Sequence, residues 1–383
     1  MFQVAVYGTE KLSTIIREII EKQYNSVVSS RGGENLRVIA FWDFSAPQNS
    51  VKDDLPILDF PQIRALYKLG TIHGIVVPRE LIVGHTDLIQ AILYGGIEAQ
   101  DVYVTERIVG KTITGNQWLT FLCPYLSAKY LSYLEFHIAD QCNLNCKACE
   151  HYSGLVDKPR YPAFDRFAKD FNTLHDYIDD IGVIRILGGE PLLNREIDEY
   201  VKLARALYPD AIIHIVTNGI LLRQMPERFY QTLRETNTGI HISFYPPLET
   251  KMPEIVEFLR EREISFEVSP LIHSFEMKQT LQKAESPDYF YRCFQSRCHN
   301  FYDGKIAACF LPFTTKYFNR YFKMNLPEDG AIDLYTPGLT TEMIKTKLLQ
   351  PFERCCYCRD AISVDWAQMK KPSLLSDWLV EEN

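Results

Sequence analysis

Nothing in this sequence approaches the roughly 18 consecutive apolar residues that a membrane helix needs, so no membrane partner is expected. Basic charge is also short: 41 Lys and Arg face 49 Asp and Glu, for a formal net charge of −8 with the signs interspersed. That balance argues against a nucleic-acid or anionic-lipid surface. The opening stretch "MFQVAVYGTEKLSTIIREII" breaks every candidate apolar core with polar residues, so no secretory signal is expected and the location should be cytoplasmic. No internal repeat or low-complexity tract occurs. The dinucleotide-binding glycine fingerprint is missing too, since "YGTEKLS" supplies only Gly8 after the first strand-like run. Cysteine, in contrast, is abundant, with ten residues. In a reducing compartment such cysteines point to metal binding or catalysis more than to disulfides.

The first part of the chain alternates short apolar runs with amphipathic stretches. "FQVAVYG", "LRVIAFWDF", "IHGIVVP" and "DVYVTE" read as strands; "KLSTIIREIIEKQY", "FPQIRALYKLG" and "HTDLIQAILYGGI" read as helices. Alternation of this kind predicts a parallel sheet with helices on its faces, here a Rossmann-like α/β domain over residues 1–111. A helix start after Gly8 would suit a phosphate, while a structural or docking role is the alternative. Residues 112–131 lack a clear period and are expected to be a linker, with Cys123 as a small buried hydrophobe. A second alternation follows over 132–289. Strands are expected at "YLEFHIAD", "GVIRILGG", "AIIHIVTNG", "GIHISFYP" and "ISFEVSP". The helix between the first two carries Phe164, Phe167, Phe171, Leu174 and Ile178 on one stripe, and the next carries Ile197, Tyr200, Val201, Ala204 and Leu207. This is the pattern of a partial (β/α) barrel, whose site lies at the C-terminal ends of its strands.

Four polar segments fall at those ends. The first is "ADQCNLNCKACEHYSG", with Cys142, Cys146 and Cys149 inside eight residues. Closely spaced thiolates bind zinc or iron–sulfur clusters. A structural zinc site needs four ligands, and no fourth cysteine follows locally, although His151 could complete one. A cubane cluster held by only three thiolates leaves one iron open to a small molecule.

The C-x3-C-x2-C loop after a first barrel strand, followed by "GGE" in "ILGGEPLL", resembles the radical S-adenosylmethionine superfamily. The resemblance implies a partial (β/α)6 barrel and a [4Fe-4S] cluster on Cys142, Cys146 and Cys149. Its open iron would chelate S-adenosylmethionine, whose reductive cleavage yields a 5′-deoxyadenosyl radical. It also implies cofactor contacts from Gly188, Gly189 and Glu190, with the glycines letting backbone carbonyls approach the ammonium group. Thr217 and Asn218 in "VTNG", and Ser243 in "HISFYP", match polar positions that hold the nucleoside, although turn chemistry explains them equally well. The family commonly has an aromatic residue where this chain has Ala148, and Tyr152 is the candidate to cover the adenine instead. A reducing partner such as flavodoxin or ferredoxin is implied as well.

Residues 290–383 carry six more cysteines. Cys293 lies ahead of "FYDGKIAACF", a hairpin expected to turn at Asp303-Gly304 and to bring in Cys309. "RCCYCRD" adds Cys355, Cys356 and Cys358. The spacing resembles the twitch type of auxiliary-cluster domain, also related to the larger SPASM type. That resemblance implies a second [4Fe-4S] cluster on Cys293, Cys309, Cys355 and Cys358. Cys298 could replace Cys293, and an unligated Cys298 or Cys356 could return a hydrogen atom to a substrate radical. Zinc is the alternative occupant.

The motif set looks like that of radical enzymes of carbohydrate and polysaccharide biosynthesis. It implies a hydroxylated, sugar-like and possibly nucleotide-linked small-molecule substrate, undergoing dehydrogenation or epimerisation. A peptide-modifying enzyme is one alternative; a non-catalytic iron–sulfur electron carrier or scaffold is another. His137, His214, His241, His273 and Tyr245 lie on or near barrel strands, and Glu150 and His151 follow the loop. A histidine in a strand is more often a satisfied structural residue than a substrate contact, Tyr245 is read the same way, and Glu150 and His151 could touch substrate or simply cap a helix.

Overall fold

The apolar runs near the N-terminus form strands, as strands buried on both faces do when helices cover them. In the computed structural model, residues 1–25, 35–44, 50–83, 86–105, 122–369 and 372–380 are described. Two compact units result, Met1–Ala128 and Lys129–Asn383. The first unit contains β1 (Phe2–Tyr7), α1 (Lys11–Glu18), β2 (Leu36–Trp42), β3 (Ser50–Lys52), β4 (Leu55–Leu58) and α2 (Phe60–Lys68). It continues with β5 (Gly74–Val77), α3 (Thr86–Tyr94), β6 (Val102–Thr105) and β7 (Leu122–Pro124). The sheet order is β3-β4-β2-β1-β5-β6-β7. Its five central strands are parallel, and β3 and β7 run antiparallel at the edges.

Two local features depart from expectation. The β3–β4 hairpin is too short and polar to show a strand period, and Asp53 and Asp54 turn it with φ of 49° and 62°. The expected linker also ends as structure: residues 112–121 lie outside the described residues, whereas Leu122–Pro124 forms an edge strand on β6. Cys123 is half-buried on that strand and not in a core.

The second unit opens with β8 (Tyr130–Ala139) and then alternates. α4 (Phe164–Tyr177), β9 (Asp180–Gly188), α5 (Ile197–Leu207), β10 (Ile212–Thr217), α6 (Glu227–Glu235), β11 (Gly239–Ile242), α7 (Met252–Glu261) and β12 (Phe266–Val268) follow. After them come β13 (Ser274–Gln279), β14 (Asn300–Tyr302), β15 (Lys305–Ala307), α8 (Leu311–Phe322), β16 (Ile332–Asp333), α9 (Thr341–Leu348) and β17 (Cys358–Asp365). β8 to β12 are parallel neighbours in chain order, as four successive β–α units require. The sixth parallel strand does not extend that series. It is β14, from the hairpin turned at Asp303 and Gly304, which joins the opposite edge beside β8. β13 instead pairs antiparallel with β17. Among the described residues, no helix is long and apolar enough to cross a membrane.

Side-chain alternation on β8 divides the second unit. Leu134, Phe136 and Ile138 point to the helix side, where Phe136 packs on Phe167 and Phe171 of α4. Phe171 is fully buried and also meets Tyr208 and Phe301 of β14, so the hairpin shares the barrel's outer core. Phe164 and Leu207 are only half-buried, at the edges of their stripes. Phe171→Ala should cost about 3–5 kcal/mol of unfolding free energy, read from denaturant melts, and should loosen β14 as well as α4. Hydrogen exchange at β14 unchanged from the parent would contradict the shared core.

Candidate active site

The three-cysteine loop begins where β8 ends, and the glycine turn ending β9 is locked directly onto it. Gly189 N donates to Ala139 O (2.7 Å) and Glu190 N to Gln141 O (3.0 Å). A Cβ on Gly189 would lie 2.3 Å from Gln141 O, and one on Gly188 would lie 2.0 Å from Ala139 O. Gly188 also has φ of +145°. The glycines therefore admit the backbone of the cysteine loop. This is a different reason from the ligand approach expected from sequence: the close contact at both Cβ positions is with Ala139–Gln141.

Glu190 is fully buried and faces away from solvent into the next strand end. Its Oε1 accepts from Leu192 N (3.0 Å) and Thr217 Oγ1 (2.7 Å), and its Oε2 from Asn218 N (2.9 Å). Thr217 Oγ1 in turn accepts from Gly219 N (3.0 Å). Asn218 Nδ2 donates to Asn143 Oδ1 (2.6 Å) and reaches Cys142 Sγ at 3.6 Å, while its Oδ1 accepts from Ile220 N. Glu190, Thr217 and Asn218 thus form one chain of hydrogen bonds that ends on the first cysteine. Ser243 is half-buried at the next strand end, with its N–H donating to Thr217 O (2.9 Å).

The loop wraps through left-handed turns at Asn145, Ala148 and Tyr152. Burial pushes all three thiols up, with neighbouring thiols reinforcing the shift at Cys142 and Cys146, and Cys146 reaches about 12. A metal must therefore displace protons to bind here. Tyr152 does not face the site. Its ring packs on Phe318 and Trp378 and its hydroxyl meets Arg354 (3.4 Å), so it is not available to cover an adenine. The aromatic group beside the thiols is a pair sequence reading did not assemble: Tyr245 lies parallel to Trp366 at 6.1 Å. Trp366 stands beside Cys146 and favours its thiolate form, although its buried indole nitrogen has no hydrogen-bond partner among the described residues, and the three thiols act electrostatically on Tyr245. The segment after β17 also clamps the loop, through Lys147 N to Ala367 O, Met369 N to Asn145 O and Ala148 N to Asp377 O, each 2.8 Å.

The C-terminal cysteines come from three segments. Cys293, Cys309, Cys355 and Cys358 line one small cavity, together with Lys278, Tyr289, Gln295 and Phe310. Burial raises all four thiols, Cys355 to about 12 and Cys358 to about 11. Cys298 lies outside this lining, beside Glu135 of β8, and Cys356 lies outside it near Lys283. Among the described residues, no three His, Cys, Asp or Glu side chains stand close enough to hold a single metal ion. A cubane spreads its thiolates over four irons and tolerates wider spacing.

The remaining polar candidates divide. Buried His137 and half-buried His151 lie with their rings 5.1 Å apart, and desolvation brings both down to about 3. His241 Nδ1 lies 3.1 Å from Glu267, with His214 at 3.9 Å from the same carboxylate. His273 is exposed. Glu150 pairs with buried Lys278 (3.0 Å).

Burial raises the Glu190 carboxyl to about 7, opposed by its three donors. Folding therefore takes up a proton between the ordinary carboxyl range and pH 7, so this group's contribution to stability falls as pH rises through that window. Denaturant melts of chelated, iron-free protein at pH 5 and pH 8 should differ by up to about 3 kcal/mol more in the parent than in Glu190→Gln. Equal pH slopes would contradict the assignment. Gly189→Ala should cost about 2–4 kcal/mol, because backbone and not a movable side chain meets the new Cβ.

Residues 136–270 match the family described as the Radical SAM superfamily. Among curated proteins, a GTP 3′,8-cyclase of Nautilia profundicola is 25% identical over 136 residues, 35% of this chain and 40% of that protein. A 7,8-dihydro-6-hydroxymethylpterin dimethyltransferase of Methanocaldococcus jannaschii is 26% identical over 164 residues, 40% of this chain and 31% of that protein. The matched region thus spans two-fifths or less of these relatives' length. A solved structure of BtrN with AdoMet and 2-DOIA aligns over 61% of this chain and 92% of its own, at 17% identity and a TM-score of 0.37, too loose a likeness to argue from. The family match contains β9 to β12, the three-cysteine loop and the glycine turn.

Proposed function

We propose that this protein is a two-cluster radical enzyme that abstracts hydrogen from a carbon of a hydroxylated, sugar-like small molecule. The observation that carries the second cluster is the convergence of Cys293, Cys309, Cys355 and Cys358 on one cavity. Cys142, Cys146 and Cys149 would hold the first [4Fe-4S] cluster, and Cys293 is better placed than Cys298 to complete the second. When bound, the first cluster and S-adenosylmethionine supply the electron and the carbon radical that begin the reaction. The chain's own residues position them. Gly188 and Gly189 bring the β9 turn onto the loop, Glu190 fixes Thr217 and Asn218, and Asn218 orients Cys142. The parallel pair of Tyr245 and Trp366 would flank the nucleoside, the role that Tyr152 cannot take.

Several features support a nucleotide-linked substrate. The name of one relative, GTP 3′,8-cyclase, describes action on a nucleotide. The first unit has a parallel sheet whose strand order reverses at β1, and ligands bind beyond the carboxyl ends of strands at such a point. On this reading the first unit, together with the chain that follows it to residue 131, holds the carrier group. Residues 132–289 would generate the radical and residues 290–383 would receive its electron. A soluble reductant such as flavodoxin or ferredoxin would serve it in the cytoplasm. Dehydrogenation fits four cavity-lining thiols with none left over in the lining. Epimerisation would instead use Cys298 or Cys356 as hydrogen donor, and of these Cys298 sits beside barrel residue Glu135.

The test is anaerobic reconstitution followed by dithionite and S-adenosylmethionine. The parent should release 5′-deoxyadenosine and Cys142→Ala should fall to background, whereas equal release from both would overturn the reading. Trp366→Ala should weaken S-adenosylmethionine binding, read by perturbation of the first cluster's electron spin resonance, with iron content unchanged. An unaltered perturbation would remove the aromatic pair from the cofactor site.

A further inference from the structure

The two cysteine sets are joined by two short polar bridges of the same construction. In each, a residue just after Cys149 meets a buried cation, and a glutamine links that cation to a cysteine of the second set. The first bridge runs from Glu150 to Lys278 (3.0 Å), which contacts Gln295; the Cys293 thiol donates to Gln295 Oε1 at 3.6 Å. The second runs from Tyr152, whose hydroxyl accepts from Arg354 Nη2 (3.4 Å), to Gln279, whose Oε1 accepts from the same nitrogen (2.6 Å). Gln279 Nε2 then donates to Cys358 Sγ at 3.5 Å.

The two cations differ in one respect. Lys278 has the Glu150 carboxylate. Arg354 has none: its side chain is 0% exposed, and its guanidinium partners are Thr315 Oγ1, Tyr152 Oη, Gln279 Oε1 and Tyr357 O, all neutral. Among the described residues, no carboxylate lies within ion-pair distance of it. A buried charge without a counter-charge costs several kcal/mol, so its retention beside a thiol-lined cavity calls for an anion there. A cubane on four thiolates is such an anion, and it gains a further negative charge on reduction.

We infer that Arg354 is the counter-charge of the C-terminal cluster, set one glutamine away from Cys358, and that it favours the cluster's reduced state. This rests on the reading of Cys293, Cys309, Cys355 and Cys358 as a cluster site. Arg354 is a positioning residue that acts through Gln279 and through the field it places across the cavity. Tyr152 gives the same guanidinium a contact with the first cysteine loop, because Tyr152 N donates to Cys149 O (2.9 Å). The couple concerned takes up one electron and no proton, so a fixed positive charge shifts it without a pH term.

The experiment uses the full chain with Cys142, Cys146 and Cys149 all changed to Ala, reconstituted anaerobically so that only the C-terminal site can hold iron. The reduction midpoint is followed by electron spin resonance. Arg354→Met should weaken the reduction equilibrium at least about tenfold, equivalent to a midpoint about 59 mV more negative, and Arg354→Lys should restore most of it. Gln279→Glu should shift the midpoint in the same direction by setting a carboxylate against the guanidinium. It keeps Arg354 in place and serves if Arg354→Met does not fold. About four irons per chain with unchanged midpoints in both variants would overturn the inference and leave the cluster reading intact. A shift that Arg354→Lys fails to restore would also overturn it, because the cause would then be packing. Zinc or no metal in the starting protein would remove the cluster reading and the inference together.

Discussion

Everything at this site depends on one close backbone approach, that of Gly188 and Gly189 against Ala139, Asp140 and Gln141. Two parallel strand ends cannot close so tightly with side chains between them, since a Cβ at either glycine would overlap a carbonyl oxygen. Closure places Glu190 in the interior, where its carboxylate gathers Leu192, Thr217 and Asn218. Asn218 then reaches Cys142. A chain of short contacts thus carries the position of one turn to the first thiol, through the buried and fully bonded side chains of Glu190 and Asn218. Such rigidity suits a site that must hold reactive groups at fixed separation.

The loop is held from its other side by sequence far away. Lys147, Ala148 and Asn145 make backbone bonds to Ala367, Asp377 and Met369, and Trp366 stands next to Cys146. Tyr152 is buried among Phe318 and Trp378, so the end of the first cysteine loop is part of the core that surrounds the second cysteine set. The two sets consequently belong to one packed body. Changes at the C-terminal cavity should be felt at the first loop through packing and charge.

Much of this was legible in the sequence because it is local. Parallel strands buried on both faces read as apolar runs, and the helices between them show period 3.6, so the β8–β12 alternation and its strand-end motifs follow from short windows. The Asp303-Gly304 turn was legible for the same reason, since both residues adopt positive φ. Contacts between distant segments were not. Nothing near Trp366 announces that it will lie parallel to Tyr245, and "RCCYCRD" gives no sign that Arg354 will be buried without a carboxylate. The destination of β14 was also hidden, because a three-residue strand fits any sheet edge and long-range contacts select the one beside β8, among them Phe301 packing on Phe167 and Phe171 and Asn300 bonding Glu135. Tyr152 misled for a related reason. Its position in the loop suggested a cofactor contact, while a core formed by residues more than 150 positions later took its ring.

One compact unit, as proposed, holds two clusters on separate cysteine sets. The most direct measurement is iron and sulfide content after anaerobic reconstitution of three proteins. These are the parent, the variant lacking Cys142, Cys146 and Cys149, and the variant lacking Cys293, Cys309, Cys355 and Cys358. Two separate clusters require about eight irons in the parent and about four in each variant. About four irons in the parent, lost entirely with the first three cysteines and accompanied by zinc at the second set, would contradict that arrangement.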